Sequence, residues 1–150
     1  MKSLLNSAEF EEVILRLENC TPQSKAVWGK MDVAQMLAHC SNTFEVATGE
    51  KILKRGLLGY VFGGMVKKKW LGNMDPFEQN SPTHPYFKMV DSKAFEKEKA
   101  RLKSYIEKFH RGGKEKVTTS THSFFGYLSA EEWGVLMYKH LDHHFRQFSA

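Results

Sequence analysis

The segment SAEEWGVLMYKHLDHHFRQ, residues 129–147, decides the fold of this chain. It opens with Ser129-Ala-Glu-Glu132, a capping-box pattern in which the serine and the glutamate three residues later satisfy free backbone N–H groups at a helix start. The apolar residues that follow recur near the 3.6-residue period of an α-helix and form one stripe. The pattern predicts a final helix that packs into a helical bundle.

Histidines lie within the same stripe. On a helical wheel His140 and His144 are about 40° apart on adjacent turns, which is the spacing of two ligands to one metal ion. His143 lies about 100° from His144, so it is better placed at the rim of such a site or in solvent. Without a third ligand, hydrogen-bonded core or surface histidines would explain the pair equally well.

Three further segments carry helix start signals and an apolar repeat, and no strand alternation competes with them. They run from Asn6-Ser7 to about Asn19, from an Asp32 cap to about Gly49, and from Ser92 to about Phe109 with Asp91 or Ser92 as the cap. Their expected core faces are Phe10, Val13, Ile14 and Leu17; Val33, Met36, Leu37, Cys40, Phe44 and Ala47; and Phe95, Leu102, Tyr105, Ile106 and Phe109. The sequence therefore predicts an all-α, four-helix bundle.

Two regions between these helices are less regular. Residues 52–70 are apolar and basic but rich in glycine, which weakens a helix, so we expect a broken helix or a lid over the bundle. Residues 73–85 contain three prolines and several turn formers, which indicates an extended crossover between the two halves of the bundle. A long crossover excludes simple up-and-down connectivity.

Length and composition fit one soluble domain over residues 1–150, with 41% hydrophobic and 26% charged residues. No apolar run approaches the ~20 residues of a membrane-spanning helix and no signal-like segment opens the chain, so we expect a cytoplasmic protein without a membrane partner.

The net charge of +5, with a lysine cluster near Lys67, could attract nucleic acid or anionic lipid. A scattered excess usually only solvates a surface, and no base-reading motif accompanies it, so we expect no nucleic-acid partner. The sequence leaves open whether the protein is a homodimer.

The best third ligand is His39, because it lies mid-helix at the edge of the core face of the second helix and could meet the pair across a helix contact. His122 and His84 are weaker candidates, and His110 is expected in a turn or on the surface. Three imidazoles without a cysteine or an inward carboxylate suit one divalent ion, zinc or nickel first and iron as a third option, with open coordination positions.

Acidic residues near the histidines do not complete the ligand set. Asp142 points about 200° away from His140 on the wheel, so it is not expected to be a ligand. Glu131 and Glu132 are explained by capping and by the helix dipole. The expected metal ligands are therefore His39, His140 and His144.

The segments Gln35-Met-Leu-Ala-His39 and His140-Leu-Asp-His-His-Phe-Arg-Gln147 resemble the DinB-like superfamily, and the resemblance spans the chain. It implies a four-helix bundle with a long crossover that holds one divalent metal through His39, His140 and His144. Trp28-Gly-Lys-Met31 and residues 124–134 resemble an uncharacterised subgroup. The chain has Phe145-Arg-Gln147 where the family usually has an Arg-Gly-Gln run, so only the metal ligands carry over.

Relatives in that superfamily include thiol-dependent S-transferases and a mycothiol-dependent maleylpyruvate isomerase. The resemblance implies a metal-dependent transferase or hydrolase that activates a low-molecular-weight thiol or water for a small-molecule substrate. A non-enzymatic bundle that binds a small ligand or metal is the alternative, and a helical interaction module with incidental histidines is the third.

No catalytic side chain is identified from the sequence. Asp32, Gln35 and His143 are candidates for a general base or an orienting group. Cys40 should face the apolar core, where a thiol stays protonated. We expect Cys20 and Cys40 to be structural thiols.

Overall fold

The computed structural model describes residues Met1–Ala150 and is all-α. Its helices are α1 (Ser7–Asn19), α2 (Val33–Ala47), α3 (Leu57–Leu71), α4 (Phe95–Gly112) and α5 (Ala130–Gln147), with 3₁₀ turns at Pro85–Phe87 and Gly113–Lys116. There is no strand, only an isolated bridge between His122 and Gly126. The predicted all-α class is confirmed, and the structure has a fifth helix, α3, in addition to the four that the sequence predicted.

Four of the five helices form the bundle. Helix α1 packs against α4 and α5, and α2 packs against the same two helices, so α1 and α2 occupy one diagonal and α4 and α5 the other. Helix α3 contacts only α5 among the helices. The connection from α2 to α4, residues 48–94, contains α3 and the first 3₁₀ turn. The architecture is therefore a helical bundle with one long connection that carries an extra helix.

The core consists of the apolar faces that the helical period predicts. Its fully buried side chains come from the N-terminal segment and from all four bundle helices: Leu4, Val13, Leu17, Met36, Leu37, Phe44, Leu102, Ile106, Trp133, Met137, Leu141 and Phe145. Phe10, Ile14, Phe95 and Tyr105 are partly buried and pack against this core. Burial of these side chains is the main favourable term in folding, so it fixes the relation of α2 to α5.

Residues 57–71 form one continuous helix, which corrects the expectation of a broken helix. Glycine weakens a helix by about 1 kcal/mol because it is flexible, but two of these glycines permit a close packing that a larger residue would prevent. A Cβ atom at Gly59 or Gly63 would lie 2.8 or 2.0 Å from a backbone carbonyl of the loop at residues 123–124. The buried ammonium of Lys139 donates hydrogen bonds to the carbonyls of Trp70 and Asn73 at the end of α3.

Helix α4 begins later than predicted. Its first residue is Phe95 and Ala94 stands at the cap position without a side-chain bond. Asp91, one of the two predicted caps, instead pairs with Lys93 at 2.8 Å, and its carbonyl accepts a hydrogen bond from Gln35. The alternative hydrogen bonds of an Asp residue explain why the start was misplaced. No helix in the structure combines the length and the apolar character needed to cross a membrane.

Candidate metal centre

Helix α2 positions His39. Its start is fixed by the predicted capping box, in which the Gln35 backbone N–H donates to Asp32 at 2.8 Å and the Asp32 backbone N–H donates to Gln35 at 3.0 Å. The apolar face that follows is buried against α4 and α5. His39 stands on the edge of this face and is only 6% exposed.

Helix α5 positions the other two histidines. Its capping box is also present, with the Glu132 backbone N–H donating to Ser129 at 3.2 Å and the Ser129 backbone N–H donating to Glu132 at 2.8 Å. His144 is 7% exposed, and His140, one turn earlier, is partly exposed. Both imidazoles lie on the side of α5 that meets α2.

The three predicted ligands converge. One nitrogen from each of His39, His140 and His144 lies within 4.8 Å of the others. The ring centroids form a nearly regular triangle, with 5.0 Å between His39 and His140 and 4.7 Å for each of the other two pairs. The structure thus brings together three histidines that are close enough to bind one ion.

Two of the imidazoles have their Nδ1 atoms anchored. Nδ1 of His39 lies 2.8 Å from the carbonyl oxygen of Phe87, and because a carbonyl only accepts, Nδ1 must carry the proton. Nδ1 of His144 lies 2.8 Å from Oε1 of Gln147. The Gln147 amide nitrogen donates to the Trp28 carbonyl at 2.7 Å, which turns the amide oxygen toward His144. In both histidines Nε2 therefore keeps its lone pair.

A glycine makes room for this support. Gly29 has φ +82, and a Cβ atom there would lie 2.5 Å from the amide nitrogen of Gln147. The left-handed backbone and the lack of a side chain let the Trp28 carbonyl reach Gln147. The loop at Trp28–Gly29 and the end of α5 thus act together to orient His144.

His140 has weaker support. Its Nε2 atom lies 3.0 Å from Nε2 of His39, while its Nδ1 atom is buried without a hydrogen-bond partner in the protein. Since the proton of His39 is on Nδ1, His140 must donate from Nε2 for this contact to be a hydrogen bond, and its buried Nδ1 lone pair is then unsatisfied. An unsatisfied buried nitrogen costs about 1–3 kcal/mol.

Electrostatics favours neutral imidazoles at this site. Burial lowers the pKa of His39, and burial reinforced by the neighbouring imidazoles lowers the pKa values of His140 and His144 well below the usual range. No carboxylate belongs to the group. Neutral imidazole is the form that binds a metal, because the lone pair must be free.

The donor set fits a divalent ion. At Zn–N distances of about 2.0–2.1 Å, nitrogens in a tetrahedral site lie about 3.4 Å apart, and at right angles about 3.0 Å apart. The 3.0 Å between the Nε2 atoms of His39 and His140 agrees with this range. Metal-bound histidines commonly donate their other N–H to a carbonyl or carboxylate, as His39 and His144 do here. Three nitrogen ligands leave at least one position open.

His143 is partly buried and lies at the rim of the three-histidine group. The rim was one of the two positions expected for it, the other being solvent. Its ring packs edge-on to Trp28 at 5.6 Å and lies 6.1 Å from the ring of Phe77. The indole N–H of Trp28 is buried and has no partner. His143 therefore lies between Trp28 and the group, with its ring 5.0 Å from that of His144.

The other histidines lie elsewhere. Nδ1 of His122 accepts the backbone N–H groups of Phe124 and Phe125, and Nδ1 of His84 accepts that of Tyr86. His110, which was expected in a turn or on the surface, lies on α4. It donates to the Leu4 carbonyl at 3.0 Å and is partly buried. None of these three belongs to the group that could hold an ion.

The candidate polar and thiol groups have other roles. The side chains of Asp32 and Gln35 are occupied in the α2 cap, and Asp142 pairs with Arg16 at 2.7 Å. Cys20 and Cys40 are buried free thiols, and burial raises the pKa of each, that of Cys40 well above its usual value. The cysteines are thus protonated core residues, as expected.

Sequence reasoning missed the groups that orient the ligands, namely the carbonyls of Phe87 and Trp28 and the space at Gly29. Backbone carbonyls leave no trace in a sequence because every residue has one. Gly29 was an available signal, because glycine is the usual residue where the backbone is left-handed or approaches another group closely. Comparisons with protein-family models, with curated proteins and with solved structures found no match.

Proposed function

We propose that the protein binds one divalent metal ion through His39, His140 and His144, and that it is a metal-dependent transferase or hydrolase acting on a small molecule. The observation that carries the proposal is the convergence of three buried or partly buried imidazole nitrogens within 4.8 Å of one another. Zinc or nickel suits three neutral nitrogen ligands best.

The support around the ligands favours a built site over incidental contacts. Two Nδ1–H groups are held at 2.8 Å by oxygen acceptors from different parts of the chain, which fixes both rings with Nε2 facing inward. A surface histidine cluster would not need these acceptors. The proposed membership of the DinB-like superfamily is supported by the same residues, since its ligand pattern is one histidine on α2 and a pair on the last helix.

A divalent ion in this site would lower the pKa of a thiol or a water in its open position. The chain's own residues would do the rest. His39, His140 and His144 would hold the ion, the first and the last through Nε2 atoms that are oriented by hydrogen bonds at Nδ1. The rings of Trp28 and Phe77 pack against His143 beside them. No cysteine of the chain is available as a nucleophile, so the thiol is exogenous.

The first test is the metal content of tag-free protein by elemental mass spectrometry, with H39A, H140A and H144A as variants and H143A as the matched control. We expect near one ion per wild-type chain, retained in H143A and lost in the other three. Absence of bound metal in wild type after supplying zinc and nickel would contradict the proposal.

The second test addresses chemistry. Protein loaded with Co²⁺ reports its coordination through visible absorption, and addition of glutathione or 2-mercaptoethanol should produce a thiolate-to-metal band that H39A lacks. Such a band together with transfer of the thiol to an electrophile supports a transferase. Full metal loading without thiol binding, transfer or hydrolysis would instead favour the non-enzymatic binding protein.

A further inference from the structure

Helix α3 presents large apolar side chains to solvent. Those between 45% and 79% exposed, here called the α3 apolar face, are Leu57, Leu58, Tyr60, Val61, Phe62 and Met65. Ile52, just before the helix, is also 67% exposed. Soluble proteins rarely leave so many large apolar side chains adjacent on one surface unless the surface binds something.

The exposure follows from how α3 packs. The side of the helix that meets the rest of the protein carries Gly59 and Gly63, which are buried against the backbone of Ser123 and Phe124. Because glycines occupy the inner side, the large side chains of the helix face outward. A helix in water usually does the reverse and buries its large side chains.

The same segment contains the entire positive charge excess of the protein. Residues 51–74 hold six of the 22 Lys and Arg residues and none of the 17 Asp and Glu residues, so the remaining chain has 16 basic and 17 acidic residues. The charge excess is therefore concentrated in α3 and the six residues before it. An anionic partner would be attracted to this segment.

Cations stand at both ends of the α3 apolar face. Lys54 and Arg55 precede the helix, and Lys68 and Lys69 lie in its last turn. Lys54 and Lys68 are exposed and take part in no salt bridge, whereas Lys69 pairs with Glu78. The helix is 15 residues, about 22 Å long, which is shorter than the hydrocarbon core of a bilayer.

We propose that the α3 apolar face docks onto an anionic membrane surface, with α3 lying parallel to the bilayer. Its apolar side chains would enter the boundary between head groups and acyl chains, and the lysines at both ends would contact lipid phosphates and carboxylates. A second copy of the chain is a poorer occupant, because a symmetric α3–α3 contact would bring two positive segments together. The inference departs from the expectation of no membrane partner and does not depend on metal binding.

The test is co-sedimentation of the 150-residue chain with vesicles of phosphatidylcholine alone and of phosphatidylcholine mixed with phosphatidylserine. We expect binding to the mixed vesicles, at least tenfold weaker binding to phosphatidylcholine, and release at high salt. Each basic side chain near an anionic surface contributes a factor of about five, so K54E/K68E should weaken binding more than about 20-fold. L58Q/V61Q/M65Q should weaken it more than about tenfold.

The matched control is K25E/K97E, which makes the same charge change at two exposed lysines outside salt bridges and outside α3. It should bind mixed vesicles within about threefold of wild type, and circular dichroism should show that all variants fold. Equal loss in this control and in K54E/K68E would overturn the proposal. The proposal would also be overturned if wild type bound no vesicles and sedimented as a dimer that the L58Q/V61Q/M65Q substitutions dissociate.

Discussion

Helices α5 and α3 contact each other but use their residues in opposite ways. Helix α5 buries its largest side chains, including Trp133 and Phe145, and aims two histidines at α2. Helix α3 buries Gly59 and Gly63 and exposes most of its large side chains. Both helices are rich in apolar residues, so composition alone does not separate a core helix from a surface one. The position of the small residues decides which face is buried.

The two helices also differ in how firmly the rest of the chain holds them. Helix α5 is held by packing on α1 and α2, and its His144 is oriented by Gln147, which in turn donates a hydrogen bond to the Trp28 carbonyl. Helix α3 has α5 as its single helical neighbour and rests on the loop at residues 122–126. We therefore expect α3 to loosen before the histidine end of the bundle, and the following predictions test this separation.

The largest effect should come from removing a ligand. We expect H39A, H140A or H144A to abolish metal-dependent stabilisation, because two imidazoles cannot hold the ion as three do. In wild type, metal at about 1,000 times its dissociation constant should add about 4 kcal/mol of stability, seen as a rise in Tm. A metal-induced rise in Tm that persists in H39A would show that the ion binds elsewhere.

Acid should destabilise the loop that packs against α3, because His122 in that loop becomes protonated. Burial, with a smaller effect from His84, lowers the pKa of His122 from 6.5 to about 4. Since the unfolded chain takes up the proton first, the stability present above pH 6.5 is lost as the pH falls from 6.5 to about 4. The loss from this one group is on the order of 3 kcal/mol.

The H122N variant isolates this contribution. Its side-chain oxygen can accept the same backbone N–H groups but does not titrate in this range. Chemical denaturation at several pH values should give a shallower decline in stability for H122N than for wild type. Parallel curves for the two proteins would refute the assignment to His122.

Adding a methyl group should destabilise α3 on its buried side but not on its exposed side. A Cβ atom at Gly63 would lie 2.0 Å from the Phe124 carbonyl oxygen, whereas one at Gly64 would meet nothing within 4 Å. We expect G63A to destabilise α3 by about 1–3 kcal/mol through overpacking, and G64A to be neutral or stabilising by up to about 1 kcal/mol. Hydrogen exchange of the α3 amides measures both. Equal protection in the two variants would contradict the packing described.

The smallest effect should come from removing the hydrogen bond that orients His144. Q147A removes the acceptor that holds its Nδ1–H, and such losses weaken metal binding by about tenfold or somewhat more. Competition with a chromophoric chelator would measure the change in affinity. Q147E, which keeps an oxygen acceptor, should retain more affinity than Q147A. A wild-type affinity in Q147A would mean that the hydrogen bond is incidental.

Much of the fold followed from local patterns. The capping boxes at Asp32 and Ser129 placed two helix starts correctly because caps depend on neighbours three residues away. The start of α4 was misplaced and α3 was not recognised as continuous. In both places, contacts with distant residues override local preference: Asp91 bonds Gln35, and the glycines of α3 pack on residues 123–124.

The sequence by itself determined the all-α class, the core faces and the pairing of His140 with His144, because helical periodicity places residues three and four apart on one face. The sequence predicted His39 as the third ligand, but its distance from the pair was decided by the tertiary structure, since that depends on the crossing of α2 and α5. The tertiary structure also decided which carbonyls orient the ligands and that the glycines of α3 face inward. These features depend on the relative placement of distant segments, which local spacing does not encode.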